Sequence, residues 1–522
     1  MKKIIYLMGC MFLANVAWSQ DLHVAAGGVV RITPTAFVYA DAGVKIEDGG
    51  DVTIDSNASN SASFLAPNTS TTEVIGNITY KRYIADINWH LVSAPVSSQS
   101  IPDFVGDKGT VVAYNGTNGN NAVAYYNNTN TTGKRWTFHN TVNISENQEP
   151  LINFIAGQGY SMKRIAAGDY TFTGAMANAD VTIPITTTTG DHLWCAIGNP
   201  FPSFLPLNNA ANAENILADN IAKLDVNFAN LYVWNESSSQ YDAIGLAGGA
   251  LQLAPGQAFM VRAKSTSETF VFSKASQNHN SGLATFYRSS TATPTISVHL
   301  TNGALNKSTN LEFLDSATTS LDVGYDAGAY QDGTPSFSIN THLVSDSQGI
   351  DFTRQSLPIS VLGSEVAIPL SINAGIDEEV TFSVDTNNLP DGVSVYLEDT
   401  LNNTFTNLTV APLALNITAA LSGIGRFYLR TSSGVLSTED SLVGSLIVVY
   451  KTSKGAVKIT GLTSGSAATF SLFTVLGKEV LTTKFIAQNV QEISLPASLS
   501  AGVYIVGVVS DLGTFHKKII IE

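Results

Sequence analysis

The sequence predicts an all-β, multidomain chain, and three observations carry that expectation. Charged residues are only 13% of the 522, while glycine alone contributes 42 and Ser, Thr and Asn are abundant. β-Branched residues suit pleated surfaces, and Gly, Asn and Asp suit tight turns. The apolar runs are short and closely punctuated by turn residues, as in Val29 to Ile32, Phe37 to Tyr39 and Val44 to Ile46, which is strand patterning. The length allows about three to five domains, and motif blocks recur along it.

The chain opens with Lys2-Lys3, an apolar run from Ile4 to Trp18, and Ala17-Trp18-Ser19. A basic start, a short apolar core and small residues before the cut define a secretory signal peptide over 1–19. The run is shorter than the roughly 20 residues a spanning helix needs. Leu7-Met8-Gly9-Cys10 has the look of a lipoprotein box, but the residues after it stay apolar where a polar tether belongs. Removing the signal leaves Cys195 as the single cysteine, so buried cores, and no internal disulfide, must stabilise the fold. No later segment has the apolar length of a membrane span, so the chain is expected to be soluble or surface-attached and not integral. A net charge of −15 argues against nucleic acid and anionic lipid as partners, both being polyanions.

Residues 20–82 carry short β-runs separated by Gly27-Gly28, Gly43 and Gly49-Gly50, and read as a β-solenoid-like segment or a small meander. Next come two tandem β-modules, 83–176 and 177–290. Trp89-His90-Leu91-Val92-Ser93-Ala94-Pro95 matches Trp194-Cys195-Ala196-Ile197-Gly198-Asn199-Pro200. Val111 to Asn115 matches Leu231 to Asn235, and Phe154 to Lys163 matches Leu253 to Arg262. Gly157-Gln158 and Gly256-Gln257 are expected to turn the chain into an apolar strand, with the tryptophan of each module anchoring its core. These blocks resemble modules common in large surface proteins of Flavobacteria. Residues 291–430 alternate in Thr295 to Leu300 and Val366 to Ile372, with a turn at Asn387 to Gly392, and predict a β-sandwich. The polar, Ser-rich stretch from Thr431 to Ser441 predicts a linker over 431–444.

Residues 445–522 predict a small C-terminal β-sandwich. Leu476-Gly477-Lys478-Glu479-Val480, then Leu499-Ser500-Ala501-Gly502-Val503-Tyr504-Ile505-Val506, then Lys517-Lys518-Ile519-Ile520-Ile521 resemble the type A sorting domain of type IX secretion cargo in Bacteroidota. The resemblance implies recognition by an outer-membrane translocon, removal by its tail-processing machinery, and a product that is secreted or held on the outer cell surface. The motif residues it points to are Gly477, Lys478, Gly502, Tyr504, Lys517 and Lys518. The family's Tyr-Pro-Asn-Pro element is absent, and Tyr450-Lys451-Thr452-Ser453 stands there instead.

The sequence has no His-Glu-x-x-His helix, Gly-x-Ser-x-Gly elbow, phosphate-binding loop or paired-cysteine zinc signature. His90 and Cys195 occupy equivalent positions, so one module has His where the other has Cys; that disfavours a shared catalytic role and fits a core edge. Acidic turns at Asp48 and Asp51 with Asp55, at Asp322 with Asp326 and Asp332, and at Asp385 with Asp391 offer oxygen ligands for Ca²⁺, although Asp in turns is common. Otherwise no cofactor is indicated. Tyr125, Tyr126 and Trp136 are either stacking platforms for sugars or aromatics closing over a core. The tandem modules and the lack of catalytic motifs favour a non-enzymatic adhesive or glycan-binding surface protein. The alternative is a secreted hydrolase whose site is assembled from distant residues, but no stretch is left over to be its catalytic domain.

Overall fold

The computed structural model describes the chain except for residues 1–3, 7–20, 42, 68–73, 107–111, 143–146, 186–191, 236–237, 280–292, 365, 434–446, 453–454, 475–477, 489, 497–498, 500–501, 511–512 and 522. The fold is nearly all β and multidomain. Most of the expected signal peptide and linker lies outside the described residues. Within the former, Ile4–Tyr6 pairs in parallel with Val29 to Arg31. Residues 431–433, expected in the linker, instead finish the long strand Leu421–Ser433.

The N-terminal segment is a parallel coil. Leu22–Val24 pairs with Val44–Ile46, Val29–Ile32 with Asp51–Ile54, and Phe37–Tyr39 with Ser63–Leu65, all in parallel. Parallel stacking of successive turns defines a solenoid, whereas a meander pairs antiparallel. Gly27 and Gly49 both adopt positive φ at equivalent corners, and the Gly27 N–H donates to Gly49 O at 2.9 Å; only glycine turns there without strain. Val24, Ile32, Val44, Ile46, Val52 and Ile54 are buried inside. The last rung, Asn77–Ile84, pairs along its full length with Gly168–Ala175. The boundary expected between residues 82 and 83 therefore falls inside a strand, and one core runs from Val24 through to Met176.

Two sheets follow. The first contains β1 (Trp89–Val92), β2 (Val123–Tyr126), β3 (Trp136–His139) and β4 (Tyr160–Lys163) in the order β1-β4-β2-β3, with the short strand Gln148–Glu149 beyond. The second contains β5 (Trp194–Gly198), β6 (Leu231–Asn235), β7 (Gln240–Ile244) and β8 (Ala258–Arg262) in the order β5-β8-β6-β7. Trp89 pairs with Lys163, and Trp194 with Arg262. The strand that corresponds to Leu231–Asn235 by position in the sheet is Val123–Tyr126, which corrects the expected match to Val111 to Asn115. Val112 makes only an isolated bridge to Arg164, and Tyr114–Asn115 closes a small ladder with Asn120–Asn121.

The sheets are joined by reciprocal backbone contacts. Val92 bridges Gln257 while Ile197 bridges Gln158. The Ser93 N–H donates to Gly256 O at 3.1 Å, and the Gly198 N–H to Gly157 O at 2.9 Å. Ser93 Oγ adds hydrogen bonds to Asn199 O at 2.8 Å and Gln257 O at 3.2 Å. So the Gly-Gln turns, expected to start strands, also clasp the opposite sheet.

Residues 295–433 form an eleven-stranded sheet that curls, barrel-like and nearly closed, around one core. Thr295–Thr301 shows why: Ile296, Val298 and Leu300 are fully buried and the intervening Thr, Ser and His are not, the period of a half-buried strand. The tail has two sheets around a separate core of Ile447, Val449, Phe470, Leu472, Val506, Val508 and neighbours. Among the described residues no helix is long and apolar enough to cross a membrane.

Candidate functional site

Strand alternation puts large aromatics on the surface between the two joined sheets. A cleft of about 360 Å³ is lined by Trp89, His90, Leu91, Trp136, Phe138 and Ser161 from the first sheet, and by Trp234 and Tyr241 from the second. Trp136 and Phe138 lie two apart on β3 and so share a face. Trp234 and Tyr241 are cross-strand partners on the β6–β7 hairpin, with ring centroids 5.2 Å apart, edge to face. Trp89 meets Phe138 edge to face at 5.9 Å. Trp89 was expected to anchor a core, but it is 38% exposed; it begins the edge strand of its sheet.

A second aromatic layer supports the cleft. Trp194 is 0% exposed and packs against Tyr232 at 4.8 Å, Tyr330 at 4.7 Å and Phe228 at 5.7 Å. Tyr330 carries Tyr241 at 4.4 Å, so the buried layer directly fixes a cleft ring. The Tyr126 hydroxyl lies 2.6 Å from His192 Nε2 and 3.0 Å from the Tyr330 hydroxyl. Burial, with Arg135 nearby, holds the His192 pKa down at about 4, so the imidazole is neutral at physiological pH. Arg135 is held by Asp332 at 2.9 Å.

His90 and Cys195 behave differently despite their matching positions. His90 Nε2 lies 2.8 Å from Asp86 Oδ1 at the cleft edge. Burial pulls the Asp86 carboxyl up, but hydrogen bonds from the Asn88 N–H and His90 outweigh it and the pKa is lowered. The Cys195 thiol is pushed up to about 12 by burial, against a hydrogen bond from Asn128 Nδ2, and is a poor nucleophile.

Of the three aromatics read as either sugar platforms or lids over a core, Trp136 lines the cleft. Tyr126 is buried beneath it and Tyr125 packs against the first core. Trp234, Tyr241 and Phe138 were missed. Their signal was alternation in Trp136-Thr137-Phe138 and a cross-strand aromatic pair, which needs the hairpin register to be seen.

The acidic turns are engaged by protein groups. Asp55 pairs with Arg31 and Asp385 with His299. Asp326, pushed up to about 7 by burial, accepts the N–H groups of Ser356 and Asp322, both at 2.7 Å. Among the described residues no three His, Cys, Asp or Glu are grouped to hold a metal ion.

In the tail, Gly477 lies outside the described residues. Lys478 is exposed and closes its hairpin, its carbonyl accepting from the Thr474 N–H at 2.9 Å. Gly502 opens the strand Gly502–Ser510, Tyr504 is buried, and Lys517 and Lys518 lie opposite Val506 and Ile505 on the final strand.

Residues 10–430 match the family described as "Domain of unknown function (DUF8693)". Residues 453–522 match the "Secretion system C-terminal sorting domain", a type IX sorting domain. No curated protein matches. A solved structure titled "Crystal structure of tetra-tandem repeat in extending region of large adhesion protein" aligns over 83% of this chain and 100% of that one, at 9% identity and a TM-score of 0.12, far below that of a shared fold.

Proposed function

We propose, for a chain that belongs to the family described as Domain of unknown function (DUF8693) and ends in a type IX sorting domain, that it is a glycan-binding adhesive protein whose sugar site is the aromatic cleft. The sorting domain makes it a secreted or cell-surface protein. The reading divides the chain into cargo and address. The cargo is the solenoid and a first module that share one core as far as Met176, a second copy of that module over 177–290, and the barrel-like sheet over 291–430. The address is the tail over 445–522, read by the translocon through Lys478, Tyr504, Lys517 and Lys518, with Gly477 and Gly502 shaping the turns, and then removed.

One observation carries the binding reading: three of the five tryptophans, Trp89, Trp136 and Trp234, line a single open cleft. Exposed aromatic clusters are costly unless used, and aromatic walls with a few polar groups are the build of a small-ligand site. Sugar rings offer apolar C–H faces to such walls and hydroxyls to groups like His90 and Ser161. The test is a glycan array probed with the chain lacking residues 1–19, followed by titration calorimetry on the hits. Trp136→Ala and Trp234→Ala are expected to abolish binding while the melting midpoint stays within a few degrees. Glycan binding that survives both substitutions would overturn the assignment.

A further inference from the structure

We infer that the cleft is one end of a longer groove that takes a linear, neutral, gluco-configured glycan of more than two units; this rests on the cleft being a sugar site. Trp234 and Tyr241 line not only the aromatic cleft but also a second hollow of about 310 Å³. The two hollows therefore share a wall, and a ligand crossing the β6–β7 hairpin occupies both. Each is near the lower end of the roughly 300–1,000 Å³ that small-ligand sites span, so neither alone suits a chain.

The ends differ in chemistry. The first is walled by rings. The second is lined by Gln240, Lys307, Ser308, Gln331 and Asp332, with the Gln331 side chain exposed. A pyranose with all-equatorial hydroxyls has flat C–H faces and a polar rim, so successive units of one chain suit both ends.

Charge selects neutrality. Asp332 is paired with Arg135 at 2.9 Å, and Asp86 with His90 at 2.8 Å. Lys307 Nζ donates to Ser238 O at 2.9 Å and Ser239 O at 2.6 Å. Asp332 is thus neutralised and the Lys307 donors are taken up by carbonyl oxygens, while the chain's net charge of −15 repels a polyanion. An acidic polysaccharide gains little here and is opposed by the overall field.

The test is titration calorimetry of the chain lacking residues 1–19 with cellobiose, cellotetraose and cellohexaose, and with hexagalacturonate as the anionic comparison. Affinity is expected to rise about tenfold or more, worth about 1.4 kcal/mol, from the disaccharide to the hexasaccharide, with hexagalacturonate much weaker. Gln331→Ala combined with Ser308→Ala should flatten that rise and leave cellobiose binding unchanged, whereas Trp136→Ala should remove both. Equal affinity for all three gluco-oligosaccharides, or for hexagalacturonate, overturns the groove while leaving the aromatic cleft standing. No binding across the series overturns the groove, and binding indifferent to Trp136→Ala overturns the cleft and the groove together. Circular dichroism of each variant establishes that it is folded.

Discussion

Trp194 and Trp89 begin equivalent strands and do opposite things. Trp194 is fully buried among Tyr232, Tyr330 and Phe228, and Trp194→Ala should cost about 3–5 kcal/mol, read as a lowered urea midpoint. Trp89, partly exposed at the cleft, should lose under about 1 kcal/mol on the same change. The sequence identified both as strand starts, but burial is decided by what packs on the strand's outer face, and that neighbour comes from residues 228–330. His192 gives a pH effect of definite sign. Its folded pKa is about 4 against an ordinary value near 6.5, so the unfolded chain binds more protons between those values. Stability is whole above about pH 6.5 and falls as the pH drops toward 4. Unfolding curves across that window should slope less steeply in His192→Gln than in the parent; equal slopes would place the titration elsewhere.

At the scale of elements, the joint between the sheets depends on close backbone approach. A Cβ at Gly198 would lie 2.6 Å from Gln257 O and 2.7 Å from Ser93 Cβ, both too near. Gly198→Ala should therefore destabilise by about 1–3 kcal/mol and weaken protection of the Ser93 amide in hydrogen exchange. An unchanged exchange rate there would mean the joint tolerates spreading. The strands that start at Trp89 and Trp194 and the Gly-Gln turns were legible because Trp-to-Pro spacing and Gly-Gln pairs are local. The middle block was not. Val111 to Asn115 and Val123–Tyr126 are both apolar runs with a tyrosine, and only pairing with Tyr160–Lys163 tells them apart. The solenoid was legible as one of two options; the register of Gly27 on Gly49 decides between them. The cleft was the least legible feature, since its walls are drawn from five strands and two sheets.

For the molecule as a whole, the tail's core is built from residues 447–521 alone, while the cargo cores end at Leu429. Deleting residues 445–522 should leave the cargo's melting midpoint unchanged and stop its export, which fractionation of host cells would show as retention within the envelope. Arrival of the truncated chain outside the cell would separate the tail from sorting. Its address was the plainest message in the sequence, because the motifs are contiguous. The cargo's purpose was faint, because side chains brought together from alternate strand positions leave no contiguous motif.

The clasp between the two sheets also sets a clock. Ser93 and Gln257, bonded in the folded chain, are separated by 164 residues. At a ribosomal pace of about 5–20 residues per second, the second half of that clasp emerges roughly eight to thirty seconds after the first. Contacts of such long span also close slowly once both partners are present. For that interval the early sheet waits with Val92 and Ser93 unclasped, a sticky edge in a newborn polypeptide. The first sheet of a newly made chain therefore stays unfinished until residues some 164 positions later have been added.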